Sequence, residues 1–291
     1  MGAQLVVREL SGPEELEEAV EVQRKAWGMS DYRDAVPSHL LRALSANGGL
    51  VLGAFVGGKL VGVSYGWIVA GKEVFFYSHA TGVAEEEKYK GVGFRLKLAQ
   101  REWALSRGIR LAKWTFDPLQ SLNSYFNLVK LGAVAREYYV NYYGEMRDSI
   151  NVGLGTDRVK AEWWLDSRRV HERISSKRIA PTVEDMERMG AHVAVRPEKG
   201  YSPSRPRIDA SARIVLVGLP ENISRVRELS REKAVKWRLA TREVYGFYMQ
   251  RGYILVDNIE DREGNRYNVL WRTSLDRVLS GSNPWDEPTR R

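Results

Sequence analysis

The chain has 291 residues, 45 Lys+Arg against 37 Asp+Glu, four histidines and no cysteine. Without cysteine there can be no disulfide, no thiolate zinc ligand and no thiol nucleophile, and His39, His79, His171 and His192 form neither HxxxH nor HExxH. No run approaches the roughly 18–20 apolar residues of a membrane span, and the opening MGAQLVVREL lacks the layout of a signal peptide, so a cytoplasmic protein without a membrane anchor or metal is expected.

The net charge of +8 is unevenly placed. Residues 1–167 hold 20 basic and 20 acidic side chains, 168–213 hold 11 and 6, and 214–291 hold 14 and 11. This predicts a neutral domain over 1–167, a basic Pro-containing linker over 168–212 and a smaller α/β appendage with a tail over 213–291. In chain order, a short strand over 5–7 precedes a helix after Ser11-Gly-Pro13, and a second helix starts at Pro37. Strands over 49–56 and 59–70 flank Gly57-Gly58, a hairpin signal, and another strand covers 73–83. A glycine-rich turn then opens a helix that ends at Gly108. A strand over 110–117, a helix from Ser121 closed by Leu131-Gly132, and strands over 133–144 and 159–166 follow. The second half reads as a short helix (182–189), an irregular loop (196–207), a strand (213–220), one long or two short helices (221–251) and a hairpin around Glu263-Gly264: a β-α-β-β order.

The stretch with chemistry in it is Lys88-Tyr-Lys90-Gly91-Val92-Gly93-Phe94-Arg95, between a strand and a helix. Glycines let backbone N–H groups converge at a helix N-terminus, where the dipole favours phosphate, and Lys88, Lys90 and Arg95 add positive charge. A Rossmann fingerprint needs a glycine at position 96, which is leucine, and no Gly-Lys-Ser/Thr of a P-loop occurs. A purely structural strand-turn-helix is the plain alternative.

Lys88-x-x-Gly91-x-Gly93 resembles the coenzyme A loop of the GNAT acyltransferases, Arg/Gln-x-x-Gly-x-Gly/Ala, with Lys for Arg. The element order over about 4–166 resembles the whole of that domain. WTFDPL…N…LGA and Thr156-Asp157-Arg158 are similar to a group of uncharacterised, predicted acetyltransferases of the same family. The resemblance implies an α/β (α+β) fold with a mixed, mostly antiparallel, splayed sheet. It also implies acetyl-CoA as acyl donor and an amine acceptor, either a small molecule or a protein amine. The cofactor would be held by Thr81, Val83, Lys88, Lys90, Gly91, Val92, Gly93, Phe94, Arg95 and, through its pantetheine arm, Asn123. Strand alternation puts Tyr77, His79, Thr81 and Val83 on one face. The family's base positions fall on His79 and Tyr77; an imidazole titrates near neutrality and suits the task, although a core histidine fits the pattern too. Acceptor-side candidates are Trp27, Tyr65, Trp67, Asp117 and Tyr139, the aromatics being equally compatible with ordinary core.

One position departs from the family. The tyrosine that many members place four residues before the glycine of "LGF", as acid for the leaving thiolate, is Leu128 here. That favours a second reading, a noncatalytic coenzyme A-binding or scaffold protein. A third, a nucleic-acid-associated protein, would use the basic 168–213 segment, but the neutral first domain argues against it. The appendage is expected to line the acceptor cleft or a homodimer contact.

Overall fold

The computed structural model describes residues 4–84, 91–146, 153–175 and 178–286. These fall into two compact units, one holding the described residues up to Trp114 and the other those from Thr115 onward.

In the first unit, Gly57 and Gly58 both take positive φ (59° and 83°). That is the turn whose twist matches a hairpin, and it joins β2 (Leu50–Val56) to β3 (Lys59–Val69). With β1 (Leu5–Glu9), β4 (Phe75–Val83) and the start of β5 (Leu111–Phe116) they form a sheet in the order β1-β2-β3-β4-β5. Its first three pairings are antiparallel and the last is parallel.

Helix α1 (Pro13–Trp27) starts on a proline followed by Glu14 and Glu15, and it ends on Arg24, Lys25 and a left-handed Gly28. Proline suits the first helical turn, and each charge suits its end of the helix dipole. With α2 (Ser38–Ala46) it buries Leu16, Ala19, Val22 and Leu41 against Val51, Leu60, Val63 and Tyr65 of the sheet. Helix α3 (Val92–Leu105) covers the opposite face, where Trp103 meets Phe76 with ring centroids 5.4 Å apart.

In the second unit, Ser121–Ser124 (α4) continues into wide π-type turns over Tyr125–Lys130. The strands β6 (Val134–Tyr139), β7 (Arg158–Trp164), β8 (His192–Val195), β11 (Ile214–Gly218), β12 (Tyr253–Glu260) and β13 (Arg266–Arg272) pair in the order β7-β6-β12-β13-β11-β8. Only β11 and β8 run parallel. A two-residue ladder, β9 (Pro197–Glu198) with β10 (Ser202–Pro203), fills what the sequence suggested was an irregular loop. The helices are α5 (Arg168–Ser175), α6 (Val183–Arg188), α7 (Ile223–Leu229), α8 (Arg231–Met249) and α9 (Leu275–Leu279). Of the two readings of 221–251, the structure has two helices, divided at Ser230: it is extended, and its side chain caps α8 by accepting from the Lys233 amide. Ile214, Leu216, Ile254, Val256, Val269 and Trp271 form the core with Val183, Met186 and Val278.

The units therefore do not divide where the charge does. Besides the short helix expected at 182–189, which is α6, residues 168–212 carry α5 and β8. Part of their basic surplus points inward. Arg169 donates to the carbonyls of Gly132 at 3.0 Å, Leu128 and Val256. Arg173 and Arg178 both pair with buried Asp257, at 2.6 and 3.0 Å. Formal charge along a sequence records side-chain type, whereas unit boundaries follow packing.

Candidate active site

Helix α3 begins at Gly91, whose φ of 77° is left-handed, and no side chain caps it. The first N–H groups of a helix have no partner within it, so this end is a donor-rich, positive terminus. Gly93 is the second residue of the helix, inside its first turn, and glycine is a poorer helix former than alanine. Packing does not demand it: a Cβ there would meet only Val83 Cγ2, at 3.7 Å. Val92 is buried, Phe94 half-buried and Arg95 exposed. Lys88 and Lys90 lie outside the described residues.

The far end of β4 carries an irregularity. Tyr65 pairs with Ala80 while Gly66 pairs with Ser78, so His79 is an extra residue, a β-bulge. A bulge leaves that residue outside the ladder and resets the alternation beyond it. The expectation that Tyr77, His79, Thr81 and Val83 share one face is corrected accordingly. Thr81 Oγ1 lies 2.6 Å from Ser64 Oγ, which in turn accepts from Gln100 of α3 at 2.7 Å. Val83 faces Gly93. Thr81 and Val83 are thus on the α3 face, while Tyr77 and His79 are on the α1 face with Tyr65 and Trp67. The β4–β5 ladder also ends here: it holds Phe76–Ala112 and Tyr77–Lys113, and from Ser78 to Val83 β4 pairs with β3 alone among the described residues.

On the α1 face, four rings surround the bulge. His79 lies 5.5 Å from both Tyr65 and Trp67 and 6.1 Å from Tyr77, and Trp67 lies 5.2 Å from Tyr77. His79 is exposed, but the three neighbouring rings partly desolvate its imidazole. This desolvation lowers its pKa from 6.5, so the neutral, proton-accepting form prevails at pH 7. Tyr65 is buried, its hydroxyl donates to Gln23 Oε1 at 2.9 Å, and burial raises its pKa. It is wall rather than acid. Trp27 lies over Gly82, where a Cβ would come within 2.6 Å of the indole.

The remaining predicted residues belong to the second unit, and most are committed elsewhere. Asp117 is 6 % exposed and holds Arg238 in a two-bond clamp at 2.8 and 2.5 Å, while also capping the Leu119 amide at 2.9 Å. Its oxygens are filled by protein donors, which argues against the acceptor-side role expected of it. Asp157 is buried. Burial alone would raise its pKa, but Arg242 at 2.9 Å, the Tyr138 hydroxyl and the Asn141 amide hold it below the usual value. Arg158 is buried and donates to the Asp157 carbonyl at 2.9 Å. Tyr139 donates to Glu137, and burial followed by that bond pushes its pKa up to about 12. Asn123 is exposed and accepts from Asn127 at 3.4 Å, and Gln120 stands at the N-cap position of the helix. Leu128 is fully buried, and Tyr125 lies under the Arg266 guanidinium, 4.2 Å away.

The sequence reading missed a buried polar group between α3 and β4. Lys97 donates to Ser78 Oγ at 2.7 Å, Ser78 to Gln100 Oε1 at 2.9 Å, and Gln100 to Ser64. The Lys97 ammonium also lies 3.8 Å from the Trp114 ring centroid. Burial lowers its pKa to about 7. A helical projection could have found it: Lys97 and Gln100 fall on the same stripe as Leu96, Trp103 and Ala104, all of them buried. Among the described residues no group of three or more His, Asp or Glu could hold a metal, and no helix is long and apolar enough to cross a membrane.

No protein-family model matches the chain, and no curated protein matches it. Among solved structures it is similar to the acetyltransferase of the GNAT family from Streptococcus pneumoniae, with 17% identity, 55% of this chain and 98% of that chain covered, and a TM-score of 0.45. It is similar to the ribosomal-protein-S18-alanine N-acetyltransferase from Escherichia coli, with 13% identity, coverage of 55% and 92%, and a TM-score of 0.44. It is also similar to the PaiA N-acetyltransferase from Thermoplasma acidophilum in complex with coenzyme A, with 19% identity, coverage of 54% and 98%, and a TM-score of 0.41.

Proposed function

We propose that the chain is an acyltransferase of the GNAT kind, moving an acetyl group from acetyl-CoA directly to an amine. The observation that carries this reading is the coincidence on one strand of three features. The β4–β5 ladder stops after Tyr77–Lys113, the bulge at His79 follows within two residues, and the glycine-opened start of α3 faces the other end of β4 at Val83. Bound acetyl-CoA supplies an activated thioester. The N–H groups at Val92, Gly93 and Phe94 and the positive charge of Arg95, with Lys88 and Lys90, serve its phosphates. The backbone N–H freed by the bulge is a donor for the acyl carbonyl oxygen. His79, held neutral, accepts the proton that the amine must lose, directly or through water. Tyr77, Trp67 and Trp27 line the acceptor side on the α1 face.

Gly93→Glu puts a carboxylate at the helix start and is expected to abolish acetyl-CoA binding in titration calorimetry; normal binding refutes the proposal. Buried Leu128, in place of a phenol, favours one other reading, a coenzyme A-binding scaffold. Mass spectrometry of amines labelled from isotopic acetyl-CoA in a cell extract separates the two, since a scaffold labels none.

A further inference from the structure

Lys97 is 4 % exposed in the middle of α3, and no carboxylate pairs with it among the described residues. A cation kept in a protein interior without a counter-ion costs several kcal/mol, and methionine would fill the same space without that cost. Its surroundings suggest what offsets the cost. Ser78 and Trp114, which the ammonium touches, are the residues that follow the last β4–β5 pair, Tyr77–Lys113. The ammonium therefore stands where the two strands part, one residue from the bulge and on its α3 face. From Val83, beside the phosphate-binding end of α3, back to Ser78 is five strand residues, about 17 Å at the usual rise. That span is comparable with an extended pantetheine arm, so a thioester sulfur lying along β4 ends beside Lys97.

We propose that the Lys97 ammonium receives the departing thiolate of coenzyme A as an ion pair, a role that rests on the acyl-transfer reading above. As the amine nitrogen bonds to the acyl carbon, the carbon–sulfur bond breaks and its electron pair stays on sulfur, beside the Lys97 ammonium. The amine's proton passes to His79, which returns it to solvent, and the thiolate regains a proton from solvent as coenzyme A leaves. Leu128 leaves the helix that ends at Gly132 without a donor for this sulfur.

The same pairing predicts an observable that needs no acceptor. With coenzyme A bound, neutral Lys97 takes the thiol proton and leaves an ammonium–thiolate pair, detectable by the ultraviolet absorption of thiolate. A thiol of ordinary pKa, about 8.5, is about one-tenth ionised at pH 7.5. On the full chain saturated with coenzyme A, more than half is expected as thiolate, a rise of about fivefold, with desulfo-coenzyme A as the blank. Lys97→Met should return the thiolate to its unbound level while acetyl-CoA binds within about threefold of wild type; Lys97→Arg should keep it. Coenzyme A held as a thiol by the wild type overturns the assignment. So does a thiolate that survives Lys97→Met, which would make Lys97 a structural cation only. If calorimetry finds no coenzyme A binding by the wild type, the acyl-transfer reading itself fails and this role with it.

Discussion

Lys97→Met also makes a prediction about stability that is independent of any ligand. The substitution removes a buried ammonium whose pKa falls from 10.5 to about 7 on folding. Between those two values the unfolded chain binds more protons than the folded one, so wild-type stability rises with pH across that window. The full shift corresponds to about 5 kcal/mol at about 1.4 kcal/mol per unit. Below pH 7 the whole cost is present in the wild type, and above 10.5 it is gone. Little else changes, because Ser78 keeps its bond to Gln100 when the ammonium is removed. Urea unfolding of both proteins at steps from pH 7 to 10.5 isolates the effect, since other titrating groups cancel in the difference. The stability advantage of the variant over the wild type should shrink by about 4 kcal/mol over the series, a little more than half of it by pH 9. A difference constant to within about 1 kcal/mol would show that Lys97 is not desolvated as described, and the reasoning would fall.

Three further outcomes are expected. Asp117→Ala leaves the buried Arg238 guanidinium without its clamp and should cost about 3–5 kcal/mol by chemical denaturation, whereas Asp117→Leu with Arg238→Met should recover most of it; a single-variant cost under about 1 kcal/mol contradicts the burial of the pair. Gly82→Ala forces a Cβ to within 2.6 Å of Trp27 and 2.9 Å of Ala26 Cβ and should cost about 1–3 kcal/mol, part of which Trp27→Leu in the same chain recovers. For turnover, the desolvated His79 places the acid limb of the pH profile below 6.5, because the protonated imidazole cannot accept the amine proton; His79→Gln should remove that limb, and a limb left unchanged assigns it to another group.

Much of the architecture could be read from residue patterns because the cause was local. Gly57-Gly58 marked the hairpin, Gly91 marked the start of α3, and the predicted helix at 182–189 appears as Val183–Arg188, capped by Thr182 and Asp185 reciprocally. What escaped was set at a distance. The bulge at His79 depends on how β3 pairs with β4, and a period-two reading of β4 alone puts Thr81 and Val83 on the wrong face. The clamp on Asp117 escapes a local reading because Arg238, the residue that fills it, lies 121 positions away. Lys97 was passed over because a lysine in a helix is ordinarily placed in water.

The inward arginines of the second unit bear on how the chain can be cut. A fragment ending at residue 167, the boundary suggested by charge, would keep Asp117 and Asp157 but lose Arg238 and Arg242. It would also strip β6 of its β12 neighbour. Two carboxylates built for burial would be left bare, next to an open strand edge available to other chains. Expression of such a fragment should yield aggregates, and its failure to bind a ligand would say nothing about the intact protein.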